Sequence, residues 1–162
     1  MVAYLRTPLG IFWDIENCPI PLTESASVVA KRLRGFLADI HRECGYAEEF
    51  CCTWDARRLP DPVSEGLNRN GVIVANGNFA AKNVADDRLQ EMIDMFVDKF
   101  GAKSVLAVIT GDINFAKPIR NARRKDVSVA LIHGLNCWPD LKNLVNESYL
   151  WTMSRRRRVH YN

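Results

Sequence analysis

Three aspartates stand directly after short apolar runs. Asp14 follows Ile11-Phe12-Trp13, Asp55 follows Cys52-Thr53-Trp54, and Asp112 follows Val108-Ile109-Thr110-Gly111. A fourth, Asp86, opens a stretch with helical periodicity. One aspartate in such a place is ordinarily a turn former or a helix N-cap. Four of them, from distant parts of the chain, carry a different implication if the strand ends share one edge of a sheet. Converging carboxylates repel one another unless a cation sits among them. A compact all-oxygen donor set suits Mg²⁺ or Mn²⁺. Such an ion acidifies a bound water and stabilises a leaving oxygen, which is phosphoryl-transfer chemistry.

Polar and basic neighbours fit that chemistry. Asn17, three residues after Asp14, can bind a phosphate or hold Asp14 in place. Thr110 and Asn114 flank Asp112 and can hydrogen-bond metal waters or a scissile phosphate. Lys117, Arg120 and Arg124 fall at i, i+3 and i+7, one face of a helix, where cations can track a nucleic-acid backbone. Lys82, Arg57 and Arg58 are further candidate contacts near acidic positions. Trp13 and Trp54 each precede a candidate aspartate, and a tryptophan inside a strand is more often core than a stacking platform.

The elements needed to gather these residues are legible as an alternation. Strands are expected over residues 10–13, 49–54, 71–75, 104–110 and 126–132. Helices are expected over 25–42 (capped by Thr23 or Ser25), 61–70, 86–100, 113–125 and 139–147, with an edge strand at 149–153. The 104–110 run is apolar on both faces, as a central parallel strand should be. Strands separated by helices imply βαβ units, a parallel sheet and helices on both faces. In such open sheets the site lies beyond the carboxyl ends of the strands, where the aspartates fall.

Composition sets the outer bounds. The chain has 162 residues, 48% hydrophobic, enough for one domain with a real core. No apolar run approaches the ~20 residues of a membrane span, and the first ten residues do not form a signal peptide. Cys18, Cys44, Cys51, Cys52 and Cys137 form no CxxC pair, so they are expected as reduced thiols of an intracellular protein. The net charge is +3. Removing the four arginines at 155–158 leaves 18 basic against 19 acidic residues, a body at −1. That basic run can contact nucleic acid, serve as a nuclear address, or simply be a solvated tail. There is no P-loop, no dinucleotide fingerprint, no Asp-x-Asp of the haloacid-dehalogenase phosphatases and no Gly-x-Ser-x-Gly turn.

The stretch Ile11-Phe12-Trp13-Asp14-Ile15-Glu16-Asn17 resembles the first motif of the NYN domain, a branch of the PIN-like nuclease superfamily. Lys82-Asn83-Val84-Ala85-Asp86-Asp87-Arg88-Leu89 is similar to its second acidic motif, and Thr110-Gly111-Asp112-Ile113-Asn114-Phe115 to its third. Leu131-Ile132-His133-Gly134 matches its closing strand. The resemblance implies a PIN-like three-layer α/β/α sandwich over residues 10–153, between an extension at 1–9 and a basic tail at 154–162. It implies a Mg²⁺- or Mn²⁺-dependent endoribonuclease that cleaves single-stranded RNA to 5′-phosphate and 3′-hydroxyl ends, in mRNA degradation or silencing. Asp14, Asp86 and Asp112 become the metal ligands, with Asp55 a further catalytic carboxylate. Asn17, Lys82, Thr110, Asn114, Lys117, Arg120 and Arg124 become the RNA-binding set. A cytoplasmic setting, in a longer parent chain with other RNA-binding domains, is the matching expectation. Asn114 stands where many family members carry a second aspartate, which removes one negative charge. That departure keeps open a catalytically weak or inactive domain acting as an RNA-binding or protein-interaction module. A phosphatase on the same sheet topology is a third, weaker option.

Overall fold

A computed structural model describes residues 6–55, 59–77 and 84–151. Six parallel strands form one sheet in the order β3-β2-β1-β4-β5-β6. They are β1 (Leu9–Asp14), β2 (Glu49–Asp55), β3 (Ile73–Gly77), β4 (Val105–Ile109), β5 (Ser128–His133) and β6 (Glu147–Leu150). The helices between them are α1 (Ala26–Ile40), α2 (Asp61–Arg69), α3 (Val84–Phe100), α4 (Ala116–Arg124) and α5 (Pro139–Asn143), with a 3₁₀ turn at Ile113–Phe115. The sheet order reverses at β1, which lies between β2 and β4. That reversal is the topological switch point at which open α/β sheets bind ligands.

Strand alternation sorts β1 between two cores. Leu9, Ile11 and Trp13 pack with Val29, Leu33, Leu37 and Leu67 of α1 and α2. Phe12 packs on the other face with Leu89, Ile93 and Phe96 of α3 and with Phe115 and Ile119. A side chain on Gly10 would meet the Phe12 and Phe96 rings at 2.8 Å. Its absence lets those rings meet edge to face, 5.7 Å between centroids. Asp14 shares the parity of Phe12, so the pleat sends it to the α3 side, whereas Trp13 belongs to the α1 core.

Several boundaries differ from the sequence expectation, each for a local reason. Ser25, not Thr23, caps α1, accepting the Val28 N–H. The helix expected over 113–125 is divided. Asp112 caps the 3₁₀ turn by accepting the Asn114 N–H, and Pro118, lacking an N–H, supplies no α-type bond back to residue 114. Asp126 adopts φ 59° at the α4 exit, so β5 starts at Ser128 and extends through His133. The last helix ends at Asn143, because Asn146 turns away to exchange hydrogen bonds with Val129 through its backbone N–H and its side-chain oxygen. That contact sets β6 at Glu147–Leu150, earlier than the expected 149–153, and parallel to β5. Cys18, Cys44, Cys51 and Cys52 are buried and all five cysteines are unbridged. Among the described residues no helix is long and apolar enough to cross a membrane.

Candidate metal centre

Asp14 is the last residue of β1, and its side chain is only 4% exposed. Both carboxylate oxygens are held from within the fold. The Asn17 N–H donates to Oδ1 at 3.3 Å and the Thr110 hydroxyl donates to Oδ2 at 2.9 Å. Thr110 Oγ1 in turn accepts the Asp112 N–H at 3.1 Å. One buried hydroxyl therefore couples the ends of β1 and β4. Asn17 makes the second coupling, its Oδ1 accepting the Gly111 N–H at 2.7 Å. The β5 loop closes from the far side, where the Trp138 N–H donates to the Gly111 carbonyl at 3.4 Å.

Asp86, half-buried, lies in the first turn of α3, and Asp112 caps the 3₁₀ turn after β4. Burial pushes the Asp14 carboxyl from 3.8 up to about 6, against the lowering hydrogen bonds from Thr110 and Asn17, with Asp112 and Glu16 adding repulsion. Burial, followed by the charges of Asp14, Asp112, Glu16 and Asp87, pushes Asp86 from 3.8 up to about 7. Residues from three remote segments thus stand within electrostatic reach at the carboxyl edge. Among the described residues none of Asp14, Asp86 and Asp112 is ion-paired with a lysine or arginine.

An all-oxygen, mutually repelling and partly desolvated set fits a hard divalent cation in kind. Among the described residues, however, no three His, Cys, Asp or Glu side chains are drawn together closely enough to grip an ion as they stand. Asp14, Asp86 and Asp112 would hold such an ion, with Glu16 the exposed carboxylate nearest in sequence. Glu16 was not singled out from the sequence, where it reads as an ordinary loop residue.

The remaining candidates separate clearly. Thr110 is fully buried, so its hydroxyl serves Asp14 and Asp112 rather than an incoming RNA. Asn17 is exposed but spends its side-chain oxygen on Gly111. Asn114 is exposed on the 3₁₀ turn. Lys117, Arg120 and Arg124 are exposed on α4, while Ile119 and Ala122 of the same helix are buried against the sheet. Asp87 is exposed in the first turn of α3. Asp55 ends β2, and its backbone pairs with Gly77. Its side chain lies outside the described residues, as do Lys82, Arg57, Arg58 and the arginines at 155–158. Trp13 is core, 0% exposed, with its indole N–H donated to the Cys18 carbonyl. Trp54 is half-buried against the α1-side core.

A six-stranded parallel sheet switching at β1, flanked by helices, is the PIN-like arrangement of an NYN domain. Residues 8–147 match the NYN domain family, and the chain belongs to it. Its relatives include meiosis regulator and mRNA stability factor 1 of Xenopus tropicalis, 39% identical over 127 residues. The proteins of that name from Gallus gallus and Mus musculus are 37% and 36% identical over the same length. Each alignment covers 78% of this chain, which spans about 7% of the relative's own length.

Proposed function

We propose that this domain is a Mg²⁺- or Mn²⁺-dependent endoribonuclease acting on single-stranded RNA, in RNA degradation or mRNA silencing. The observation that carries the proposal is that Thr110 links Asp14 to the Asp112 backbone at one sheet edge, and that burial first and neighbouring carboxylates second raise the Asp14 and Asp86 carboxyls. When bound there, a divalent ion would supply Lewis-acid stabilisation and an acidified water for attack on the phosphodiester.

The chain's own residues prepare that chemistry. Thr110 and Asn17 each donate to one oxygen of Asp14. A carboxylate has about four acceptor sites, so this fixes its plane and leaves capacity for a ligand. The Thr110 hydroxyl bridging Asp14 and the Asp112 N–H sets the two strand ends in register. The exposed Lys117, Arg120 and Arg124 face attracts the RNA backbone without adding cations among the carboxylates. Membership in the family, and relatives named as mRNA stability factors, support the RNA reading.

The test is cleavage of a generic single-stranded RNA in Mn²⁺ and in EDTA, with binding measured alongside. Metal-dependent cleavage is expected. The exposed Asn114, in place of a further carboxylate, favours one rival, an RNA-binding or protein-interaction module without catalysis. Tight binding with no cleavage in either condition would select it.

A further inference from the structure

We infer that Trp138 is a stacking platform for a base of single-stranded RNA, set beside the third carboxylate. The inference rests on the RNA-processing function proposed above and names how that site holds a nucleobase. Trp138 belongs to the loop at 134–138, which joins β5 to α5 at the carboxyl edge of the sheet. Its backbone is pinned on both sides. The N–H donates to the Gly111 carbonyl at 3.4 Å, and the carbonyl accepts the Leu141 N–H at 3.1 Å. Pro139 follows at the first position of α5, which keeps Trp138 extended, φ −61° and ψ 127°. Below it, Leu141 is buried in the same core as Phe115, which anchors α5 against the turn after Asp112.

The loop also presses on the residue before Asp112. Cys137 Cα is 3.2 Å from where a side chain on Gly111 would begin. Trp138 is therefore one backbone hydrogen bond away from the Gly111–Asp112 corner. On this fixed mount Trp138 is nevertheless 55% exposed, and Leu135 in the same loop is 88% exposed. Trp13, Trp54 and Trp151 are instead buried or half-buried. A large, rigid aromatic held in solvent loses little conformational freedom when a planar group covers it.

Its neighbours select the occupant. The Gly111–Asp112 corner to which the Trp138 backbone bonds leads into the 3₁₀ turn at Ile113–Phe115 and then into α4, whose exposed cations begin at Lys117. Aromatic side chains beside a cationic track are how proteins hold single strands, the cations taking phosphates and the rings taking bases. Trp138 supplies the component that Trp13, committed to the core, cannot.

The experiment titrates the domain in EDTA with two oligoribonucleotides of equal length, one carrying all its bases and one abasic along its centre. Trp138→Ala is expected to weaken binding of the base-bearing strand roughly tenfold. It should leave the abasic strand's affinity and the salt dependence unchanged. Trp138→Phe should retain most of the affinity, and a thermal melt of each variant checks folding. Unchanged affinity of a folded Trp138→Ala for the base-bearing strand would overturn the inference and point to a protein partner. Equal losses on both strands would overturn it as well. Cleavage by the unsubstituted domain in Mn²⁺ is scored separately. Binding without cleavage defeats the nuclease proposal while Trp138 still stands or falls by its own variants, and a domain that binds neither strand defeats both.

Discussion

Replacing Asp14 by asparagine should make the metal-free protein more stable. Burial and neighbouring charge raise the Asp14 carboxyl from 3.8 to about 6. At roughly 1.4 kcal/mol per pK unit, keeping it ionised at neutral pH costs about 3 kcal/mol. That cost is already net of the hydrogen bonds from Thr110 and Asn17; asparagine keeps the shape and removes the charge, but turns an amide nitrogen toward one of those two donors, a loss of about 1 kcal/mol. The net gain is about 1–2 kcal/mol, or roughly 3–6 °C in melting temperature for a domain of this size. The sign in pH follows from linkage. The folded state holds this proton more tightly than the unfolded state, so wild-type stability in EDTA falls as pH climbs from about 4 to about 6. Asp86, raised to about 7 partly by the Asp14 charge, extends that fall upward. Asp14→Asn should flatten the first part of the slope and lower the Asp86 contribution. Mn²⁺ at a hundred times its dissociation constant stabilises a binding protein by about 2.7 kcal/mol, so adding it should close or reverse the gap between the two. The assay is a set of thermal melts from pH 4 to 8, with EDTA and with Mn²⁺. A variant that melts below wild type at pH 7.5 in EDTA, with an unchanged pH slope, would show that the buried Asp14 charge does not destabilise the metal-free fold.

Two other perturbations separate grip from chemistry. Converting Lys117, Arg120 and Arg124 together to glutamine should weaken binding of all single-stranded RNAs alike and make the log–log salt slope shallower by about 2, since each phosphate contact on a single strand contributes about 0.7. Melting temperature should barely move, because all three side chains are exposed. Asn17→Ala should cost about 1–2 kcal/mol of stability by leaving the buried Gly111 N–H without its 2.7 Å acceptor. It should lower the cleavage rate more than RNA affinity, because Asn17 joins Asp14 to the Gly111–Asp112 corner rather than touching the strand, and single-turnover kinetics would show the split.

Much of this architecture was legible because parallel strands, covered on both faces, spell near-continuous apolar runs. Those runs located β1, β4 and β5 and put Asp14 and Asp112 at their carboxyl ends. What escaped depended on contacts between remote segments. Nothing local announces that Asn146 leaves a helix to pair with Val129, or that Thr110 turns inward to join Asp14 to Asp112. Trp13 looks adjacent to the site in the chain, yet strand alternation sends it to the opposite core. Trp138 looks remote in the chain, yet the loop at 134–138 brings its backbone N–H to the Gly111 carbonyl. Its only signal was a tryptophan directly before a helix-starting proline, outside any apolar stripe.

Asp14, Asp86 and Asp112 are proposed to share a divalent ion. Crystals of the domain soaked in Mn²⁺ and measured at a wavelength where manganese scatters anomalously test it most directly. Anomalous density is expected among those three carboxylates, lost in Asp14→Asn. Full-occupancy Mn²⁺ elsewhere, with none between them, would contradict it.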